Sequence, residues 1–135
     1  MLSGDFACTE RPGVLVVDDE TSVRMVLVAG LRHMGFPVWQ AASGLEAVRV
    51  HEEHQGQIHI ALVDVRMPGL DGPATWALLH AGDSDLLCYF MTGDLGGYDE
   101  NELLRRGAEG VILKPFPFRQ LEEMLLRHPA RVAGC

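Results

Sequence analysis

Five short apolar runs alternate with five helix-like stretches, and this rhythm constrains the fold of the chain more than any single motif. The apolar runs fall near 13–17, 36–40, 58–63, 85–91 and 109–113. Helical patterns follow them over about 20–34, 44–54, 72–81, 98–106 and 117–128. In the first helical stretch, Val23, Val26, Leu27, Leu31 and Met34 recur near helical spacing, and Gly35 stops it. Ser43-Gly44-Leu45-Glu46 reads as a capping box opening the second, Pro73 suits the first turn of the third, and Gly107 ends the fourth. Regular alternation of this kind predicts a single α/β domain, a doubly wound five-stranded parallel sheet with helices on both faces. The run at 36–40 is short and carries Pro37, as suits an edge strand. The third, fourth and fifth runs are almost wholly apolar, which predicts cover on both sides.

At 135 residues and 47% apolar composition, the chain suits one domain that needs no disulfide or metal to hold it together. The expected organisation is a loose leader over 1–12, a domain over 13–128 and a tail over 129–135. Gly93-Asp94-Leu95-Gly96-Gly97 reads as a flexible loop. The net charge of -8 disfavours direct binding to nucleic acid or anionic lipid, because phosphate backbones reward positive charge. No 18-residue apolar segment predicts a membrane span, and the N-terminus lacks a signal-peptide pattern. Cys8, Cys88 and Cys135 match no common metal spacing and read as free thiols, Cys88 buried in its apolar run. A cytoplasmic protein is expected.

The chemistry lies where the runs end. Val14-Leu15-Val16-Val17 ends in Asp18-Asp19, Ile58 to Val63 ends in Asp64, Leu86 to Met91 ends in Thr92, and Val111-Ile112-Leu113 ends in Lys114-Pro115. In a parallel sheet all these ends share one edge, the edge where open α/β folds keep their sites. Asp18, Asp19 and Asp64 would then crowd together, and each would raise the pKa of the others. A divalent cation relieves that repulsion, and an oxygen-only donor set favours Mg²⁺, with Mn²⁺ second. Thr92 supplies a hydroxyl and Lys114 a positive charge for phosphoryl oxygens. Lys114-Pro115 is also a bond at which a cis peptide would be one way to aim the amine.

These residues carry a resemblance. Asp18-Asp19, Asp64 with Met67-Pro68-Gly69-Leu70-Asp71-Gly72, Thr92-Gly93 and Lys114-Pro115-Phe116 resemble the signature of bacterial response-regulator receiver domains, from about Gly13 to His128. The resemblance implies a flavodoxin-like (βα)5 fold with strand order 2-1-3-4-5 and a role in two-component phosphorelay signalling. It implies that Asp64 is the phosphoacceptor, attacking a phosphohistidine to form an acyl phosphate. Asp19, Asp64 and the backbone carbonyl of Arg66 would hold Mg²⁺, with Asp18 acting partly through a metal-bound water. Thr92 and Lys114 would contact the phosphoryl group. Arg66 and Asp94, two residues past Asp64 and Thr92, would tune the lifetime of the phosphorylated state.

The implied partners are a sensor histidine kinase or histidine phosphotransfer protein, and a downstream protein bound through the face of helix four, strand five and helix five. Arg105-Arg106 lies on that helix four. Phosphorylation-dependent homodimerisation is left open. The protein would not be an enzyme in its own right, performing only self-catalysed phosphotransfer to Asp64 and slow autodephosphorylation. One position departs from the family: the aromatic usual three residues before the lysine is Val111, which cannot swing between two ring poses. Phe116 and Phe118 are the nearest aromatics in sequence.

Bland readings stand beside these. Asp18-Asp19 could cap the first helix, and Asp64 could form a turn. His51 and His54 have metal-compatible spacing, but with His59 they read as a solvated polar face. On function, the last helix ends seven residues before Cys135, so a stand-alone receiver is expected. The alternative is a receiver cut from a longer regulator with a DNA-binding or enzymatic output. A remote alternative is an Mg²⁺-dependent aspartyl phosphatase, which normally wants a second acid where Arg66 stands.

Overall fold

A computed structural model describes residues 9–93, 97–128 and 130–131. Strands β1 (Val14–Val17), β2 (Val38–Ala41), β3 (Ile60–Asp64), β4 (Leu87–Thr92) and β5 (Gly110–Leu113) form one sheet in the order β2-β1-β3-β4-β5. Each neighbouring pair is parallel. This is the expected 2-1-3-4-5 order, and its reversal beside β1 opens a crevice at the carboxyl edge. The connecting helices are α1 (Thr21–His33), α2 (Gly44–Glu53), α3 (Gly72–Gly82), α4 (Glu100–Arg105) and α5 (Phe118–Leu125).

The strands send alternate side chains to two apolar layers, as a period of two requires. Leu15, Val17, Ala61, Val63 and Phe90 meet Ala47, Trp76, Leu79 and Leu103 from α2, α3 and α4. Val14, Val16, Ile60, Leu62 and Met91 meet Leu27, Leu31, Leu121 and Leu125 from α1 and α5. Leu31 and Leu121 are fully buried, and burial of each such side chain contributes about 1.5–3 kcal/mol.

Local signals set most boundaries. Ser43 Oγ accepts from Glu46 N at 3.2 Å, and the Glu46 carboxylate reaches back to Ala42 N, one residue earlier than a simple capping box. Asp71 caps α3 by accepting from Ala74 N at 2.9 Å, with Pro73 in the first turn. Asp99 caps α4 through Glu102 N at 2.7 Å, which starts that helix later than the sequence pattern suggests. Gly107, at φ +102°, ends it. Helix α5 is shorter than the expected 117–128, because the chain turns after Leu125.

Two features depart from expectation. Strand β5 is an edge strand and is not covered on both sides: Gly110 and Val111 are half-buried and Leu113 is 60% exposed. Its apolar composition therefore reflects an open face as well as a core. Thr9–Glu10, within the expected loose leader, pairs antiparallel with Ala130–Arg131. Arg11 adds an ion pair to Glu122 at 3.6 Å and lies 5.1 Å from the Phe36 ring centroid. Residues 9–10 and 130–131 thus pair, and Arg11 joins this end of the chain to α5.

Candidate functional site

Asp18 is the first residue beyond β1 and is fully buried. Burial of an ionisable group demands partners, and each of its polar groups has one. Its N–H donates to Ala41 O at 3.2 Å. Oδ1 accepts from Glu20 N at 2.9 Å, and Oδ2 accepts from Lys114 Nζ at 2.9 Å. Its carbonyl accepts from Arg24 Nη1 at 2.7 Å. The residue capping α1 is Glu20, without a side-chain cap bond, so Asp18 and Asp19 do not serve as its N-cap.

Asp64 is the last residue of β3 and is 6% exposed. The following turn packs tightly beneath it: Gly72 N donates to Val65 O at 2.8 Å. A Cβ at Gly72 would come within 2.4 Å of the Asp64 carbonyl oxygen, so only glycine fits there. Thr92, buried, closes β4, and its carbonyl accepts from Lys114 N at 2.8 Å. That bond holds the lysine backbone beside the threonine. The Lys114-Pro115 peptide is cis. Lys114 Nζ sits 3.5 Å from Asp64 Oδ1 as well as 2.9 Å from Asp18 Oδ2.

An open cavity of about 250 Å³ is lined by Glu20, Asp64, Arg66, Thr92, Gly93 and Lys114. The strand-end acid, hydroxyl and amine therefore share one mouth. A larger opening of about 590 Å³ lies alongside, lined by Arg66, Met67, Pro68, Asp71 and Tyr98 among others, and includes none of Asp18, Asp19 or Asp64.

The electrostatics are those of an under-compensated acidic site. The Asp64 carboxyl is pushed up to about 6, first by burial and then by the charges of Asp18 and Asp19, while Lys114 pulls the other way. Burial disfavours the charged Lys114 ammonium, but hydrogen bonds and charges from Asp18 and Asp64 outweigh it and raise its pKa. The Lys114 ammonium does not balance three acids, and the Arg24 guanidinium reaches the Asp18 carbonyl rather than a carboxylate. Carboxylate oxygens of Asp18, Asp19 and Asp64 all lie within 4.8 Å of one another, the one such group among the described residues. A hard divalent cation fits this donor set, since every ligand atom is oxygen and the site carries surplus negative charge.

Other readings are corrected. His51 is buried and pairs through Nε2 with Asp83 Oδ2 at 3.0 Å, so it belongs to no solvated face. His54 Nδ1 bonds Val50 O at 2.9 Å and its ring lies 5.3 Å from Trp39. His59 Nδ1 accepts from Gly13 N at 3.0 Å. Each histidine thus has its own partner. Cys88 is buried, as expected, and burial pushes its thiol up. Val111 packs on the face of α2, α3 and α4, whereas Phe116 and Phe118 pack on the opposite face. Neither phenylalanine occupies the layer of the missing aromatic. Cys8, Asp94 and Cys135 lie outside the described residues.

Two contributors escaped the sequence pattern. Arg24 grips the Asp18 carbonyl, and Tyr98 donates its hydroxyl to Asp71 Oδ2 at 2.7 Å with the Arg106 guanidinium 5.4 Å from its ring centroid. Arg106 also meets Glu102 at 3.2 Å on the outer face of α4. A local motif signals neither Arg24 nor Tyr98, because their partners are set by how loops converge.

The response regulator receiver domain family matches residues 14–126. The chain is 37% identical over 108 residues to the sensor kinase CckA of Brucella abortus, covering 80% of this chain and 11% of that protein. It is 36% identical over 110 residues to the transcriptional regulatory protein PrrA of Mycobacterium bovis, covering 82% and 46%. The chain therefore spans less than half the length of either curated relative. Among solved structures, a chain of the CheX-CheY-BeF3-Mg²⁺ complex from Borrelia burgdorferi superposes with a TM-score of 0.79 at 25% identity, covering 86% of this chain and 87% of that one. Among the described residues, no helix is long and apolar enough to cross a membrane.

Proposed function

The chain belongs to the response-regulator receiver-domain family of two-component signalling, and from that we propose that it is a cytoplasmic phosphoryl-accepting switch whose acceptor is Asp64. The observation carrying this reading is the joint placement of Asp64, Asp18, Asp19 and Lys114, with the acids within 4.8 Å and the amine 3.5 Å from Asp64. A carboxylate oxygen of Asp64 attacks the phosphorus of a phosphohistidine on a sensor histidine kinase or histidine phosphotransfer protein. The P–N bond breaks with its electron pair going to nitrogen, an acyl phosphate forms, and the histidine, already protonated on its other ring nitrogen, leaves as the neutral imidazole. No general base is required, because the attacking carboxylate carries no proton to remove; positioning and charge neutralisation suffice.

Asp19, Asp64 and the backbone carbonyl of Arg66 would hold Mg²⁺ (Mn²⁺ second), with Asp18 acting partly through water. When bound, the ion neutralises charge shared between the acids and the phosphoryl oxygens. The Borrelia complex, described with Mg²⁺ and BeF3, supports this choice. Lys114 leaves its contact with Asp64 for a phosphoryl oxygen, and the Thr92 hydroxyl donates to another. Arg66, lining the cavity, and Asp94 tune the lifetime of the acyl phosphate.

The protein turns over no separate substrate; it catalyses transfer to itself and slow loss of the phosphoryl group. Output passes to a protein docking on the face of α4, β5 and α5, where Leu104 and Leu113 are exposed, and Leu126 just beyond α5. Val111 rules out the usual swinging aromatic at its position.

Acetyl phosphate with Mg²⁺ is expected to add one phosphoryl group, read by intact-protein mass spectrometry. Asp64→Asn is expected to abolish it; full labelling of that variant overturns the assignment. Steady hydrolysis of a phosphate ester would instead favour an aspartyl phosphatase. The small share of its relatives that the chain covers favours a second reading, a receiver portion of a longer regulator, which the size of the native protein in cells tests.

A further inference from the structure

The turn that presents Asp18 and Asp19 is held on one side by Asp18 itself, whose Oδ1 accepts from Glu20 N at 2.9 Å and whose N–H donates to Ala41 O at 3.2 Å. Glu20, the N-cap of α1, makes no side-chain cap bond, so the Asp18 carbonyl is left for a side chain from the helix to hold. Arg24, in the first turns of α1, does so. Its Nη1 donates to the Asp18 carbonyl at 2.7 Å and its Nε donates to Gln40 Oε1 at 3.0 Å. Gln40 belongs to β2, the neighbouring edge strand, which is paired in register with β1. One guanidinium thus ties together the first helix, the acidic turn and the edge strand. The planar fork of arginine suits two acceptors at a fixed separation; a lysine offers one point charge instead.

Charge alone argues against a cation here. A fixed positive group beside three clustered carboxylates competes with any divalent ion for their field. Its geometric role is the stronger explanation. We propose that Arg24 is a positioning residue for the metal-binding acids: anchored on Gln40, it holds the Asp18 carbonyl and so fixes the backbone from which the Asp18 and Asp19 carboxylates meet Asp64. This rests on the Mg²⁺ reading above.

Mg²⁺ titration of the full chain by isothermal calorimetry, beside thermal melts, tests it. Outer partners of metal ligands typically matter by about 10–100-fold in affinity, so Arg24→Met is expected to weaken Mg²⁺ binding by about tenfold. Arg24→Lys, which keeps the charge, is expected to stay weakened. Gln40→Met, which changes no charge and leaves α1 intact, is expected to weaken binding in the same direction by a smaller factor. It also keeps the test decisive if Arg24→Met fails to fold. A purely electrostatic role predicts the opposite sign, tighter binding in Arg24→Met. A purely structural role predicts a lower melting temperature with unchanged affinity. Either result in the Arg24 variants, with wild-type binding intact, overturns this inference alone; no Mg²⁺ binding by the wild type overturns the metal reading and this inference with it.

Discussion

The two edges of the sheet handle charge in opposite ways. At the carboxyl edge, Asp18, Asp19 and Asp64 crowd together against one ammonium, and burial with like charge lifts the Asp64 carboxyl to about 6. Toward the amino edge, polar groups are matched one to one: His51 with Asp83, His59 with the Gly13 amide, and Tyr89 Oη with His128 Nε2 at 2.7 Å. The first arrangement leaves free energy to be released by an incoming cation or phosphoryl group. The second joins donor to acceptor and stabilises the fold. Polar burial thus serves reactivity where charges are alike and unbalanced, and stability where each donor meets its acceptor.

That division can be broken by substitution. The largest expected effect is at the carboxyl edge: Asp19→Ala, removing a proposed direct ligand, should lower Mg²⁺ affinity by at least about 100-fold, the upper range for outer partners. Unchanged affinity by calorimetry would place the ion elsewhere. At the quiet edge, His51→Leu should cost about 1–3 kcal/mol in urea unfolding, because it strips a buried partner from Asp83. Labelling of Asp64 by acetyl phosphate should not change; lost labelling would sink the separation between the edges.

Asp64→Asn should act in the opposite sense and stabilise the metal-free protein at pH 7 by about 1–3 kcal/mol. The folded carboxyl titrates near 6, above its ordinary 3.8, so the folded state carries an unfavourable charge at neutral pH. That cost disappears as pH falls through 6 toward 4, and the gap between variant and wild type should close over this window. Melting curves from pH 4 to 7 check it, and a gap that widens on acidification would contradict the raised pKa. Tyr98→Phe is the smallest change, at about 0.5–1.5 kcal/mol, since it removes one hydrogen bond to Asp71 from a half-buried position. A stability loss beyond that range would mean Tyr98 does more than join the turn after β3 to the start of α4.

Much of this molecule was legible along the chain because its signals are local. Capping residues such as Ser43 and Asp71 act on amides three residues away, and strand periodicity repeats every second residue. The ends of the apolar runs named Asp18, Asp19, Asp64, Thr92 and Lys114, and the parallel direction of all five strands carries such ends to one edge. Other features depend on pairs remote in sequence. His51 looked solvated because Asp83 lies 32 residues on, and Leu113 looked buried because composition does not distinguish an edge strand from a central one. Sequence by itself determined which chemical groups the strands deliver. Only tertiary structure decided that Lys114, 96 residues beyond Asp18, stands 2.9 Å from it, and that Arg24 bridges to Gln40. The physical reason is that Coulomb and hydrogen-bond energies depend on separations of a few ångströms, set by the packing of whole elements.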